Sequence, residues 1–340
     1  MISHSPMPTA ELRIRRLAAN DLGPVVAIDA ATGGRQRRAY FERRLAQAQR
    51  APDLHAQFAV EDRGVPVGFV LGRLLEGEFG RTEPGLRLEL IEVQPKARGR
   101  GAGRALVRAL EDEARKRGVR ELRTAALWTE HAMLRFLHAN GWRLARNQVL
   151  DCVIAESTLG SSREAAPAAS QTERSGDPND YSAAAGNDYE ALARDLAEVR
   201  ALGEHDLDGV ARIDRRLTGR DRTSYLRHAL GEALAESGIR VSLAAMHDGG
   251  VAGYLMARVD LGDFGRTAPV AILDTLGVDP LHKGRGIGWA LLSQLFVNLG
   301  ALRVERIETI VAPANLDLLG FFVRAGFSAS DRLEFARPLD

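Results

Sequence analysis

The sequence predicts an α/β (α+β) chain built as two tandem copies of one domain. Three observations carry this expectation. Long stretches recur at one constant offset. Each copy passes through strand-period and helix-period segments in the same order. Each also places a glycine-rich, basic loop at the mouth of an apolar helix. A length of 340 residues suits two domains, and an apolar content of 45% suffices for two packed cores.

The repeat is the strongest signal. "VQPKARGRGAGRALV" from Val93 lies over "VDPLHKGRGIGWALL" from Val278, an offset of 185 that also relates Gly101 to Gly286. The same offset pairs Phe136 with Phe321, Gly141 with Gly326, Tyr40 with Tyr225 and Gly34-Arg35 with Gly219-Arg220. "EGEFGRTEP" falls on "LGDFGRTAP", and "IRRLAANDLGPVVAID" on "VRALGEHDLDGVARID". A single register over such a span indicates duplication of a whole domain rather than a short solenoid repeat. The copies are expected over residues 10–155 and 196–340. Residues 156–195 are rich in Ser, Ala, Gly, Asp and Pro and poor in large apolar side chains. They are expected to form a flexible linker, with "YEALARDLAEV" as a short helix, and the two halves to fold separately.

Within one copy the elements follow in order. "ELRIRRL" alternates as a strand does. Asn20-Asp21 is a helix-start signal, with the helix running to about Ala30. "RQRRAYFERRLAQAQ" makes a second helix, with Tyr40, Phe41 and Leu45 inward. "HAQFAVED" and "VPVGFVLGRLL" are two strands about a turn at Arg63-Gly64. "GLRLELIEV" is the next strand, read as Leu86, Leu88 and Leu90 on one face and Arg87, Glu89 and Ile91 on the other. A helix from Gly101 sets Leu106, Leu110 and Ala114 on one side and stops at Gly118. "VRELRTAAL" is a strand, "EHAMLRFLHAN" a helix stopped by Gly141, and "WRLARNQVLDCVI" a closing strand pair. The predicted order is βααβββαβαβ, twice.

The loop limits the ligand. Glycine lets a backbone approach a ligand closely, and a helix N-terminus offers free N–H groups with partial positive charge. Together they suit a phosphate. The spacing is not that of a P-loop, since Gly103 is followed by Arg104 and Ala105. Nor is it that of a dinucleotide fold, since the place for the third glycine holds Leu106. Arg98, Gly101 and Gly103 do fit R/Q-x-x-G-x-G/A after a strand and Pro95. This pattern resembles the coenzyme A pyrophosphate loop of the GCN5-related N-acetyltransferases (GNAT). The element order is similar to theirs too, and the resemblance covers nearly all of the chain outside the linker.

The resemblance implies a mixed, mostly antiparallel sheet flanked by helices in each copy, and acetyl-coenzyme A as acyl donor. It places the pyrophosphate on backbone N–H groups of Arg98, Gly99, Arg100, Gly101, Ala102, Gly103 and Arg104. In the second copy these are Lys283, Gly284, Arg285, Gly286, Ile287, Gly288 and Trp289, where Lys283 departs from the usual Arg or Gln. It places Ile91 and Val93, and Leu276 and Val278, beside the thioester through backbone groups. Asn315 and Phe321 fit family positions that face the cofactor, whereas Glu130 stands where the first copy would have the asparagine. A carboxylate there cannot donate to a carbonyl unless protonated. The family's tyrosine acid is replaced by Leu137 and Phe322.

The acceptor is expected to be a primary amine, on a small molecule or a protein lysine. Such an amine has a pKa of about 10.4, so the site must desolvate it or supply a base. Candidate catalytic carboxylates are Glu89 with its register partner Asp274, and Glu92, whose partner is Gly277. The competing reading of Glu89 and Asp274 is two solvated positions on an alternating strand. Arg35, Tyr40, Arg220 and Tyr225 are candidate acceptor contacts, against a reading as surface Arg and core Tyr. The "GRT" hairpin tips read as structural turns. Asn315, Asp274 and Gly277 make the second copy the expected better catalyst. The alternative function is a coenzyme-A-binding sensor or scaffold with one or both domains silent.

Composition narrows the partners. Lys and Arg number 46 against 45 Asp and Glu, so no net field points to nucleic acid. Cys152 is the sole cysteine, which excludes an internal disulfide and fits a cytoplasmic protein. No cationic apolar leader and no membrane-length apolar run is seen. No metal-ligand cluster is expected: His131 and His138 have no partners. A homodimer is left open.

Overall fold

The computed structural model describes residues 11–33, 37–76, 83–154, 197–236, 241–260 and 269–340. Arg35, most of both "GRT" tips and the linker lie outside them. The first half runs β1 (Leu12–Arg16), α1 (Leu22–Gly33), α2 (Arg38–Arg50), β2 (His55–Asp62), β3 (Val65–Glu76) and β4 (Pro84–Val93). It continues through α3 (Ala102–Lys116), β5 (Glu121–Leu127), α4 (His131–Ala139), β6 (Arg143–Leu144) and β7 (Gln148–Val153). The second half repeats this as β8 (Glu198–Ala201), α5 (Leu207–Thr218), α6 (Thr223–Glu236), β9 (Leu243–His247), β10 (Gly250–Asp260) and β11 (Val270–Val278). Then come α7 (Ile287–Ala301), β12 (Arg306–Val311), α8 (Leu316–Arg324), β13 (Ser328–Ala329) and β14 (Arg332–Pro338). The predicted order holds in both copies.

Two mixed, seven-stranded sheets result, each antiparallel except at one pair: β4 with β5, and β11 with β12. Helices cover both faces. On one face of the first sheet, Val25, Ile28, Tyr40 and Phe41 from α1 and α2 pack on Phe69, Leu71 and Leu90. On the other, Leu106, Val107 and Leu110 of α3 and Leu137 of α4 pack on Leu86, Leu88 and Ile91. The first helix starts as its sequence signal implies. The Asp21 carboxylate accepts from the Ala18 amide at 2.8 Å and binds Arg15 of β1, and Asp206 repeats both contacts with Gly203 and Arg200.

The sheets do not divide where the sequence does. Their orders are β1-β2-β3-β4-β5-β14-β6 and β13-β7-β12-β11-β10-β9-β8. Each half therefore gives its last long strand to the other. β14 pairs with β5 from Arg332↔Leu127 to Pro338↔Glu121, and β7 pairs with β12 from Gln148↔Val311 to Val153↔Arg306. Side chains reinforce the exchange: Asn147 donates to Glu334 at 2.7 Å and Arg306 pairs with Asp151 at 2.9 Å. The chain limits at 155 and 196 thus mark where the repeat ends, not where each sheet ends. A half made alone would expose the edge of β5 or β12 and lose the ladder that covers it. We expect residues 1–175 expressed alone to be insoluble or molten, and to fold when co-expressed with 176–340. Two halves that each give a cooperative melt alone would contradict the exchange.

A second seam joins the halves at β2, β3 and α6. Buried His55 of β2 meets Glu232 of α6, its Nε2 at 2.5 Å from Oε1, and Arg73 of β3 binds the other Glu232 oxygen. Burial drives the His55 pKa down to about 4, opposed by Glu232; the same burial resists ionisation of Glu232, but Arg73 and His55 outweigh it and bring its pKa to about 2. Both pKa values lie below those of the unfolded chain. The unfolded state takes up the His55 proton first as pH falls, so stability is lost from about pH 6.5 to 4, and Glu232 adds a loss from about 4.5 to 2. Melting temperatures between pH 7.5 and 4.5 should fall more steeply for the native chain than for His55→Gln, which can still donate to Glu232. Parallel profiles would exclude His55 as the titrating group.

Candidate functional site

The site in each half is built by a break in strand pairing. In β4 the register against β3 shifts between Leu71 and Gly72, so that Leu90 faces Leu71 while Leu88 faces Gly72. Glu89 is the extra residue of a β-bulge. The bulge reverses the alternation that the sequence suggests: Ile91 joins Leu86 and Leu88 on the α3 face, while Leu90 turns to α1 and α2. β11 repeats the device with Asp274, between Met256↔Thr275 and Ala257↔Leu273. Past the bulge the parallel neighbour diverges. β4 pairs with β5 only at Leu86 and Arg87, and β11 with β12 only from Val270 to Ile272. A threonine closes the fork in each: Thr124 Oγ1 donates to the Leu88 carbonyl at 2.8 Å, and Thr309 Oγ1 to that of Leu273 at 3.0 Å. Ile91 to Val93, and Leu276 to Val278, thus line a slot into which an extended chain can hydrogen-bond.

The glycine loops open at the ends of these slots. Gly99 and Gly101 have φ of 77° and 90°, and Gly284 and Gly286 have 82° and 78°, in the left-handed region that favours glycine. Gly101 and Gly286 are the N-caps of α3 and α7, so the first-turn N–H groups of each helix lack intrahelical acceptors. A side chain on Gly103 would come 2.9 Å from Phe136 Cε2, and one on Gly288 3.5 Å from the Phe321 ring. The third glycine of each loop lets α3 and α7 meet the ring of α4 and α8. Arg98, Arg100 and Arg104 are exposed around the first loop, as are Lys283 and Arg285 around the second. The loops and slots fit a coenzyme A chain: an anion cradle, then a strand edge. Asn315 caps α8 by accepting from the Leu318 amide at 3.3 Å, which leaves its NH₂ to donate. Glu130 occupies the N-cap of α4 half-buried, and burial pushes its carboxyl up against the opposing charge of Arg332. Leu137 and Phe322 are fully buried apolar side chains and bring no hydroxyl to those places.

The carboxylates separate into two kinds. Glu89 has no exposed surface, forms a close ion pair with Arg44 of α2, and lies 3.8 Å from Arg258 of β10 in the other half. Arg258 also binds Asp274. The two bulge carboxylates thus share one guanidinium across the domain seam. Glu92 is different. It lies on β4 beyond the fork, on the α1–α2 face, where Asp29 and Arg37 meet it. Burial and the Asp29 charge raise its pKa to about 8, while Arg37 at 3.4 Å and Arg98 oppose the rise. Its Oε2 is buried without a hydrogen-bond partner.

In the second half, Asp214 and Arg222 repeat Asp29 and Arg37, but the third member changes. Gly277 replaces Glu92, and Tyr254 replaces Phe69. The Tyr254 hydroxyl donates to Asp214 at 3.0 Å. A Cβ on Gly277 would lie 2.6 Å from Tyr254 Cε1, so tyrosine and carboxylate exclude each other. Burial, reinforced by Asp214, raises the Tyr254 pKa well above its ordinary value.

Of the expected acceptor contacts, Tyr40 is buried against Phe41 with Arg37 over its ring, Arg220 is exposed, and Tyr225 borders a cleft beside Asp274. Asp29, Arg37, Arg44, Tyr254 and Arg258 were not singled out from the sequence. The constant offset relating Asp29 to Asp214 and Arg37 to Arg222 was the available signal. Among the described residues no group of three or more His, Cys, Asp or Glu side chains could hold a metal ion, and no helix is long and apolar enough to cross a membrane.

Comparison with known proteins accords with this geometry. The family described as Acetyltransferase (GNAT) matches twice, over residues 26–142 and 210–327. A tandem GNAT protein from the clavulanic acid biosynthesis pathway is 21% identical, with a TM-score of 0.61, over 97% of this chain and 99% of that one. A putative acetyltransferase from Pyrococcus horikoshii is 14% identical, with a TM-score of 0.56, over 100% and 94%. A GCN5-related glucosamine N-acetyltransferase region of a fungal multi-domain β-N-acetylglucosaminidase is 16% identical with a TM-score of 0.58; the match covers 98% of this chain and 39% of that longer one. At these identities the likeness is one of fold. The two matches of the family model cover most of the chain, which belongs to the GNAT acetyltransferase family as a tandem N-acetyltransferase.

Proposed function

We propose that the chain transfers an acetyl group from acetyl-coenzyme A to a primary amine in its first domain, with Glu92 as general base. The single observation that carries this reading is the placement of Glu92, a buried carboxyl beside the slot, set against Asp29 and faced by Arg37 at 3.4 Å, where burial and the Asp29 charge raise its pKa. Acetyl-coenzyme A supplies a thioester, an acyl group already activated toward amines. The chain's task is to deliver a neutral nitrogen. A free amine with a pKa of about 10.4 is protonated at neutral pH. A base matched to working pH removes that proton best, directly or through one water. Arg37 holds Asp29 and faces Glu92, which favours the ionised form of the cluster while Asp29 keeps its proton affinity high.

Glu89 and Asp274 suit another role. Each is held by arginine at a bulge, and removing one partner of a buried pair such as Arg44–Glu89 destabilises a fold by about 3–5 kcal/mol. They serve best as anchors that fix the strand break. The second copy was the better expected catalyst because of Asn315, Asp274 and Gly277. The structure supports the reverse order, since Tyr254 fills the space over Gly277 and no carboxylate stands there. The second domain retains its loop, slot and Asn315, features suited to binding coenzyme A. Small-molecule amines and protein lysines both fit this chemistry.

Glu92→Gln should lower kcat/KM for acetyl transfer by about 10²–10⁴-fold, the span expected for loss of a general base. In the native chain kcat/KM should rise with pH through a limb near 8, because only the ionised carboxyl accepts the proton, and the variant should lack that limb. Coenzyme release assayed across an amine panel reads both. An unchanged rate and limb in Glu92→Gln would remove the assignment.

A further inference from the structure

The two glycine loops share a backbone and differ in charge. Each has two left-handed glycines at a helix mouth. Around the first, Lys96, Arg100 and Arg104 are exposed cations, while Arg98 turns toward the slot and donates through Nε to the Val93 carbonyl at 3.1 Å. Arg100 lies 3.6 Å from Asp62, and Lys96 and Arg104 form no ion pair among the described residues.

In the second half the equivalents of Lys96 and Arg104 are apolar. Leu281 is exposed, and Trp289 packs edge-on against Phe321 with ring centroids 5.4 Å apart. The two remaining cations are engaged. Lys283 faces Asp317 at 3.5 Å, where the first half has Ala132, and Arg285 meets the His247 ring at 2.8 Å. At the hairpin turn beside the loop, Asp248 replaces Arg63. Residues 94–104 hold four cations and no acid, whereas residues 279–289 hold two cations and one acid.

These side chains face the part of a donor that the slot does not take. With the pantetheine arm in the slot and the pyrophosphate on the loop N–H groups, the nucleotide end emerges on the solvent side of the loop. In coenzyme A that end carries a 3′-phosphate, a monoester with about −1.5 to −2 charges at neutral pH. Exposed guanidinium and ammonium groups recognise it by charge-assisted hydrogen bonds. A leucine or tryptophan offers no such bond, and a nearby carboxylate opposes the charge.

We infer that the two halves select donors differently: Lys96, Arg100 and Arg104 make the first loop depend on the 3′-phosphate of coenzyme A, whereas the second loop accepts a pantetheine donor that lacks it. The inference rests on the reading of both loops as pyrophosphate cradles. It assigns the selection to side chains outside the glycine backbone.

The test is calorimetric titration with coenzyme A and with dephospho-coenzyme A, which differ only in that phosphate. It is run at pH 8, where an ordinary histidine is neutral, and at low salt, where exposed charges are least screened. Full-length Gly286→Val keeps the first cradle and should bind coenzyme A about tenfold or more tighter than the dephospho form. Gly101→Val keeps the second, and its two affinities should agree within about threefold. Lys96→Leu with Arg104→Trp, added to Gly286→Val, installs the second copy's side chains and should erase the preference. The native chain reads the same contrast without the valines. At concentrations that just saturate both sites with coenzyme A, the dephospho form should fill one. Equal preferences in the two valine variants, equal stoichiometries in the native chain, or a preference that survives the exchange overturns the inference. Tight binding of both ligands by Gly286→Val leaves the cradle standing and removes only the selection; binding of neither removes the cradle as well.

Discussion

An acyl-transfer slot of this kind is a defect in a sheet, and something must hold its far wall. β5 keeps only two residue pairs with β4, and β12 only three with β11, because the strands diverge at the bulge. A strand so weakly joined on one side must be held on the other. That is the work of the exchanged strands. β14 pairs along the whole of β5, and β7 along the whole of β12. Each slot thus has its own half of the chain on one wall, and on the other a strand braced by the opposite half. Arg332 ties the braces together: it donates to the Ala125 carbonyl at 2.6 Å in one sheet and faces Glu308 of the other at 3.7 Å.

With the scaffold fixed, the two copies have diverged by exchanges that keep each local space filled. Phe69 with Glu92 in one half corresponds to Tyr254 with Gly277 in the other. Both arrangements place one polar group against the Asp–Arg pair beside α1 or α5. Only the carboxyl becomes able to accept a proton as pH rises toward 8, because the tyrosine keeps its proton there and its pKa is raised further. Arg44 and Ala229 form a second contrast, which places an arginine against one bulge carboxylate and an alanine near the other. The copies therefore differ in chemistry while sharing strand order, bulges, forks and loops.

Much of this was legible in the sequence. The offset revealed the duplication, and the glycine spacing located both helix mouths, because left-handed φ values and close ring packing demand glycine. The bulge was not legible. "LELIEV" alternates well enough to read as an unbroken strand, and one extra residue shifts every later side chain to the opposite face. That hid the fact that Glu89 and Glu92 share a face. The strand exchange was also hidden, since "NQVLDCV" and "DRLEFAR" have the same pattern whichever sheet they join. Pairing energy is decided by the tertiary partner, not by the strand's own sequence. Glu92 drew attention because it lacks an acidic partner at Gly277, but its raised pKa depends on burial and on Asp29, distant in sequence and brought near by α1 packing.

The central claim is that the duplicated framework carries out chemistry in its first half alone. Valine at Gly101 or Gly286 puts a β-branched residue at a left-handed φ and obstructs one anion cradle while leaving the other untouched. The direct measurement is turnover of acetyl-coenzyme A by the two full-length single variants, on an amine accepted by the native chain and with melting temperatures recorded alongside. The account predicts that Gly286→Val retains turnover and Gly101→Val loses it. Loss in Gly286→Val with retention in Gly101→Val would place the chemistry in the second half and contradict the account.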